Sequence, residues 1–153
     1  MELPLPDEAA AARLGRAIAA GLRRGDAVCL SGPLGAGKST VARAAVRALT
    51  SPDEDVPSPT FTLVQTYQGP DFPVAHFDLY RLRSADEALE LGLDDAISDG
   101  AALIEWPERL DRPPSLDRLD IELQPWGPNG AWGRQALIVS HGSWRERELR
   151  YEP

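Results

Sequence analysis

The stretch Gly32-Pro33-Leu34-Gly35-Ala36-Gly37-Lys38-Ser39 constrains this chain more than any other. It matches G-x-x-x-x-G-K-[ST], the Walker A pattern of a phosphate-binding turn. Its glycines allow backbone angles and a close approach that a Cβ would block. The N–H groups of such a loop point inward at phosphate oxygens, helped by the positive end of the following helix. Lys38 is the one lysine among 16 Lys and Arg residues; all the others are arginine. Lysine brings a compact, flexible point charge to the β- and γ-phosphates, where the wide planar fork of arginine fits poorly. A chain nearly emptied of lysine has kept one at the place where the pattern demands it. The hydroxyl of Ser39 suits Mg²⁺. The whole run from Gly32 to Thr40 is therefore the expected nucleotide contact.

Such a loop works between a strand and a helix, and the flanking sequence supplies both. Asp26 to Ser31, with Ala27-Val28-Cys29-Leu30 inside, reads as a short buried strand. Lys38 to Leu49 reads as a helix with Val41, Ala45 and Leu49 on one face. An earlier helix spans Asp7 to about Leu22, with Ala11, Leu14, Ile18 and Leu22 as its apolar stripe and Gly25 as its stop. Phe61 to Tyr67 alternates and reads as a strand, and Pro73 to Asp78 as another. Ser84-Ala85-Asp86-Glu87 has capping-box spacing, opening a helix through Leu89 that ends near Gly92. A second short helix spans Leu93 to Ser98. The apolar run Ala101-Ala102-Leu103-Ile104 has the character of a central parallel strand. Leu116 to Leu123 and Gln135 to Ser140 alternate and read as a late antiparallel pair. Residues 144–153 are charged and expected to fray. These elements predict one α/β domain over residues 1–153, three-layered and P-loop NTPase-like. Its mixed, mainly parallel sheet would have Ala27–Ser31, Pro73–Asp78 and Ala101–Glu105 at the centre, with antiparallel strands late in the chain.

Composition narrows the partners. A hydrophobic content of 42% supports a folded core, and 14 prolines with 13 glycines imply many loops. The net charge of −8 repels polyphosphate backbones, so a nucleic-acid role is expected to run through a partner protein. The lone Cys29 can form no internal disulfide and reads as a buried thiol. His76 and His141 have no cysteine companions, which argues against a zinc site. The start of the chain has neither a basic region nor a long apolar run, so no signal peptide is expected. No segment reaches the ~18 apolar residues of a membrane span. A cytoplasmic protein without a membrane partner is the expectation.

Two carboxylates follow apolar strand stretches: Asp78 after Val74-Ala75-His76-Phe77, and Glu105 after Ala101-Ala102-Leu103-Ile104. Each resembles a Walker B signature. In a parallel sheet both would reach the edge that carries the glycine loop. One should hold Mg²⁺, through water, and the other should orient or deprotonate the attacking water. The residues alone do not separate the two roles; the starting assignment is Asp78 to metal and Glu105 to water. In the loop Val56 to Thr62, Thr60 and Thr62 are candidates to sense γ-phosphate and Mg²⁺ as switch loops do. Trp106 could stack on a base or a partner, or fill the core. His76 reads as strand packing. The one asparagine, Asn129, precedes Gly130, and there is no second lysine. The Asn-Lys-x-Asp motif of guanine recognition is therefore absent, and ATP is the expected ligand.

Four motifs in order carry a family resemblance: Pro33-Leu34-Gly35-Ala36-Gly37-Lys38-Ser39-Thr40, Ser58-Pro59-Thr60-Phe61-Thr62-Leu63-Val64, His76-Phe77-Asp78-Leu79-Tyr80-Arg81-Leu82 and Ile104-Glu105-Trp106-Pro107-Glu108. Over roughly residues 8 to 140 the chain closely resembles the TsaE (YjeE) family, the ATPases of bacterial tRNA threonylcarbamoyladenosine biosynthesis. The resemblance implies an ATP- and Mg²⁺-dependent subunit that binds a heterodimer of the transferase subunit TsaD and its partner TsaB. ATP hydrolysis would support repeated modification of adenosine 37, with tRNA met only through that complex. The family's functional residues match Lys38, Ser39, Thr60, Asp78, Glu105 and Trp106. Pro33 departs from an often acidic position, and Ser39 from a common threonine. The region after Leu123, with Trp126, Trp132 and Trp144, matches no motif. Two other readings compete. A small-molecule kinase would need a lid, and only Arg81 and Arg83 supply nearby cations. A nucleotide-dependent interaction module would show negligible turnover.

Overall fold

The computed structural model describes residues 1–59 and 62–151. Strand β2 (Ala27–Ser31) shows the organising pattern. Its pleat sends Val28 and Leu30 into one apolar cluster and Ala27 and Cys29 into another, so this strand is buried on both faces. Strands β4 (Pro73–Asp78) and β5 (Ala101–Glu105) behave alike. Val74, Ala101 and Leu103 join the first cluster, whereas Ala75, Phe77, Ala102 and Ile104 join the second. These three strands lie side by side and parallel, as expected from their largely apolar character.

Around them, β1 (Glu2–Leu5), β3 (Val64–Gln68), β6 (Arg118–Pro125) and β7 (Arg134–His141) complete a seven-stranded sheet in the order β1-β7-β6-β2-β5-β4-β3. β6 pairs parallel with β2 and antiparallel with β7, so the late hairpin is built into the sheet centre rather than appended to it. β3 and β1 are antiparallel edges. Helices α1 (Glu8–Gly21) and α2 (Lys38–Leu49) cover the first face. The short helices α3 (Asp86–Glu90) and α4 (Leu93–Asp99) cover part of the second. Gly15 lets α1 approach α2: a Cβ there would sit 2.5 Å from the Val41 carbonyl oxygen.

Several expectations from sequence are corrected. β1 was not foreseen; its four residues carry Pro4, tolerable because an edge strand can forgo a donor. β3 begins at Val64, not Phe61, because Leu63 has φ 67 and breaks the strand. Phe61 and Thr60 lie outside the described residues. Ser84 does not cap α3 with its side chain; the Glu87 carboxylate instead accepts from the Arg83 N–H at 3.0 Å. The tail expected to fray is packed instead, with Leu149 and Tyr151 still against the main apolar cluster. Gly142–Glu146 forms a 3-10 turn that buries Trp144. Beyond it Arg147 makes a paired, buried ion bridge to Asp26, at 2.5 and 3.0 Å. Cys29 is buried as foreseen, and burial, then Asp120, pushes its thiol pKa up, away from thiolate reactivity. No helix among the described residues is long and apolar enough to cross a membrane.

Candidate functional site

β2 ends at Ser31, and the chain reverses through Gly32–Gly37 into α2. The reversal needs the left-handed region at Gly35 (φ 78) and Gly37 (φ 98), the latter immediately before the first residue of α2. Gly32 is pressed against the Leu123 carbonyl, which a Cβ would strike. Arg134 donates to the Gly35 carbonyl at 2.6 Å and ties the loop to β7. Pro33 and Leu34 remain exposed at the crest of the turn.

Lys38 opens α2 and is 5% exposed. Its Nζ donates to the carbonyls of Gly32 (2.5 Å) and Pro33 (3.0 Å). The Trp106 ring covers it, with the centroid 4.1 Å from Nζ. Burial lowers the Lys38 pKa, opposed by the negative charges of Glu105, Glu108 and Asp78. The ammonium is thus held by weak neutral acceptors and an aromatic face, an environment that an arriving anion improves.

The parity of the strands gathers the carboxylates. Glu105 shares the face of Ala101 and Leu103, and Asp78 the face of Val74, which is the face α2 covers. Asp78 and Glu105 are register partners at the carboxyl ends of β4 and β5. Both are buried, at 6% and 3% exposure. The Ser39 hydroxyl donates to Glu105, 3.0 Å from Oε1 and 3.1 Å from Oε2. Asp78 Oδ1 accepts the Tyr80 N–H at 3.1 Å. Lys38, Ser39, Asp78 and Glu105 are therefore brought to one edge, as the motifs implied.

Trp106 stands in the left-handed region (φ 60, ψ 51), anchored by its N–H on the Leu30 carbonyl at 3.2 Å. Its ring meets Tyr80 at 4.8 Å between centroids. Thr40 is half-buried in the first turn of α2. Thr62 is exposed, and its hydroxyl accepts from Gln65. Thr60 lies outside the described residues. Residues passed over in the sequence also converge here. His76 is 1% exposed and places Nε2 2.6 Å from Glu105 Oε2. His76 shares the parity of Asp78, two residues along one strand, but that alone does not set it apart from strand packing. Arg134 and Tyr80 carried no comparable signal.

Among the described residues, no group of three or more His, Cys, Asp and Glu side chains could hold a metal ion. The donors gathered at this edge, one hydroxyl and two carboxylates, are hard oxygens. They fit a small hard cation that takes its remaining ligands from water and phosphate, as Mg²⁺ does, and not a caged transition metal.

Fold and site together define an α/β protein with a mixed sheet whose central parallel strands present a glycine turn, a lysine, a hydroxyl and two carboxylates at their carboxyl edge. The family model for threonylcarbamoyl adenosine biosynthesis protein TsaE matches residues 5–130. The chain belongs to the TsaE family, which has its role in tRNA threonylcarbamoyladenosine biosynthesis. It is 38% identical to the tRNA threonylcarbamoyladenosine biosynthesis protein TsaE of Rickettsia felis over 123 residues, covering 79% of this chain and 72% of that one. The Streptomyces coelicolor protein of the same name is 40% identical over 113 residues, covering 72% and 76%. The crystal structure of Bacillus subtilis YdiB superposes with a TM-score of 0.73 at 26% identity, covering 95% of this chain and 88% of that one.

Proposed function

We propose that this chain binds Mg-ATP at the Gly32–Thr40 turn and hydrolyses it. The hydrolysis would support threonylcarbamoylation of adenosine 37 in tRNA by a partner complex resembling TsaD and TsaB. The observation that carries the reading is the contact between Ser39 and Glu105 directly behind the glycine turn. Glu105 takes the hydroxyl hydrogen of Ser39 and leaves the oxygen lone pairs free for a cation. This favours Glu105 as the carboxylate of the metal side and leaves Asp78 to orient water, the reverse of the starting assignment. Mg²⁺, when bound, would neutralise charge on the phosphates and polarise the bond that breaks. Lys38 can exchange its carbonyl acceptors for phosphate oxygens without leaving the loop. Trp106 and Tyr80 wall the same edge and exclude water from the ammonium.

The two carboxylates give separable expectations. Glu105→Gln should weaken binding of Mg-ATP on the order of tenfold or more, because a neutral amide no longer attracts the cation shell. Asp78→Asn should bind Mg-ATP normally and turn over at least tenfold more slowly. Calorimetric titration with and without Mg²⁺, followed by single-turnover hydrolysis, checks both. Normal Mg-ATP binding by Glu105→Gln combined with lost binding by Asp78→Asn would restore the opposite assignment.

The reading itself is tested by ATP hydrolysis with and without a TsaD–TsaB heterodimer. The chain alone should hydrolyse slowly and the heterodimer should accelerate it, since such sites are often completed by ordered loops or groups supplied in trans. The charge of −8 opposes direct tRNA binding at near-physiological salt. Submicromolar tRNA binding by the isolated chain, or rapid hydrolysis indifferent to the heterodimer, would overturn the reading.

A further inference from the structure

We propose that His76 is a positioning residue that fixes the Glu105 carboxylate, and through it the lone pairs that Ser39 presents to a divalent cation. The proposal rests on the nucleotide-binding reading above and extends it to a residue behind the site.

His76 on β4 and Glu105 on β5 are diagonal neighbours on the face α2 covers, since Asp78 is the register partner of Glu105 and His76 lies two residues before it. The two side chains are 1% and 4% exposed. A leucine or valine would be far cheaper to bury at this strand position than an imidazole. The imidazole is spent on one contact: Nε2 lies 2.6 Å from Oε2, and Nδ1 is buried with no partner among the described residues. Nε2 is assigned the hydrogen because a carboxylate accepts only, and its two oxygens also receive the Ser39 hydroxyl, Oε2 at 3.1 Å included. The chain of bonds therefore has one direction: His76 donates to Glu105, and Ser39 donates to Glu105.

That direction has a consequence for Ser39. A hydroxyl whose hydrogen is committed to a fixed carboxylate must aim its lone pairs elsewhere. With Glu105 free to rotate about its side-chain bonds, the hydroxyl would lose its fixed direction and the cation a preorganised oxygen. Partners behind a metal's direct ligands commonly set metal affinity by 10–100-fold. His76 should accordingly govern how well the cation binds, and leave contacts to the metal-free nucleotide untouched.

Two variants separate a donor from a filler. His76→Leu keeps the volume and removes the donor. His76→Gln keeps an N–H close to the position of Nε2. Binding of ATP is measured by calorimetry in EDTA and then across a Mg²⁺ titration. His76→Leu should raise the Mg²⁺ concentration for half-saturation about tenfold or more, with metal-free ATP affinity within about twofold of wild type. His76→Gln should return the Mg²⁺ requirement to within about threefold of wild type. An unchanged Mg²⁺ requirement in His76→Leu overturns the proposal. So does a His76→Gln that behaves like His76→Leu, or a loss of metal-free ATP binding in both variants, which marks a structural role only.

A second readout needs neither nucleotide nor metal. The chain has 2 histidines, so imidazole ¹⁵N–¹H spectra of the free protein are simple to assign. His76 should show an Nε2–H proton shifted well downfield, which Glu105→Gln moves upfield. No such proton, or one that ignores Glu105→Gln, overturns the proposal. If the wild-type chain binds no ATP at all, the nucleotide reading fails by itself, and the bond from His76 to Glu105 is decided by the spectrum.

Discussion

Lys38→Ala is expected to abolish productive ATP binding and turnover while leaving the fold intact. The side chain supplies the one ammonium in the glycine turn, and among the described residues its Nζ contacts two carbonyls and the Trp106 ring. Removing a charge-assisted contact set to phosphate costs on the order of 2–4 kcal/mol, which is roughly 30- to 1,000-fold in affinity or rate. The fold should survive because the ammonium is a buried charge whose pKa is already lowered by its burial. Deleting it relieves that desolvation and exposes no orphaned opposite charge, since Glu105 keeps Ser39 and His76. Lys38→Arg should fail almost as badly, because a planar fork cannot fill the space of one ammonium under an indole. The same residue gives binding a pH dependence with a definite sign. Free Lys38 has a lowered pKa, and phosphate oxygens would raise it. Binding then takes up a proton above the lowered pKa, and affinity falls as pH rises through it. Calorimetry in two buffers of different ionisation enthalpy measures the uptake, and circular dichroism monitors the fold. A Lys38→Ala protein that supports wild-type tRNA modification in a reconstituted system would sink the idea.

What could be read from the sequence followed from how strongly a few residues dominate their surroundings. Ala27–Ser31, Pro73–Asp78 and Ala101–Glu105 were legible because strands buried on both faces are built mostly from apolar residues. The polar residue that ends two of those runs is then conspicuous. That is why Asp78 and Glu105 stood out with Lys38 and Ser39. His76 did not, because a histidine inside an apolar strand has no signature until a second strand is laid beside it. Its partner Glu105 is distant in sequence, 29 residues on, and parallel pairing alone brings them together. The break at Leu63 was illegible for a related reason: alternation in Phe61 to Tyr67 is locally sound, and only the positive φ of Leu63 and its N–H on the Pro59 carbonyl at 2.6 Å show the turn. The tail was misjudged because its charges were read as solvated. One of them, Arg147, belongs to Asp26 at the far end of the chain.

That tail carries the second large expectation. Trp144→Ala should destabilise the protein by about 3–5 kcal/mol without weakening ATP binding. Trp144 is 2% exposed and belongs to the main apolar cluster with Leu14, Ile18 and Leu119. Its ring lies so close under α1 that a Cβ on Gly21 would come within 3.1 Å of it. The indole Nε1 has no hydrogen-bond partner among the described residues, so its contribution is packing. The ring also supports the Arg147 guanidinium, 4.4 Å from its centroid. That guanidinium satisfies Asp26, a carboxylate 1% exposed that also takes the Arg23 N–H at 2.7 Å. Losing the indole leaves a cavity and loosens a buried ion pair whose disruption is itself costly. In a domain of this size each kcal/mol lowers Tm by roughly 2–4 °C, so a fall of about 10 °C is expected by calorimetry. Trp144→Phe should recover much of it. The effect on ATP should be small because Asp26 precedes β2, whereas Ser39 and Glu105 gather where β2 and β5 end. The tail therefore braces the amino edge of the sheet, opposite the site. A melting temperature within 2 °C of wild type, or ATP binding lost while the protein is still folded, would contradict this division. Lys38→Ala and Trp144→Ala should then be mirror images, one losing the ligand and keeping the fold, the other keeping the ligand at low temperature and losing the fold early.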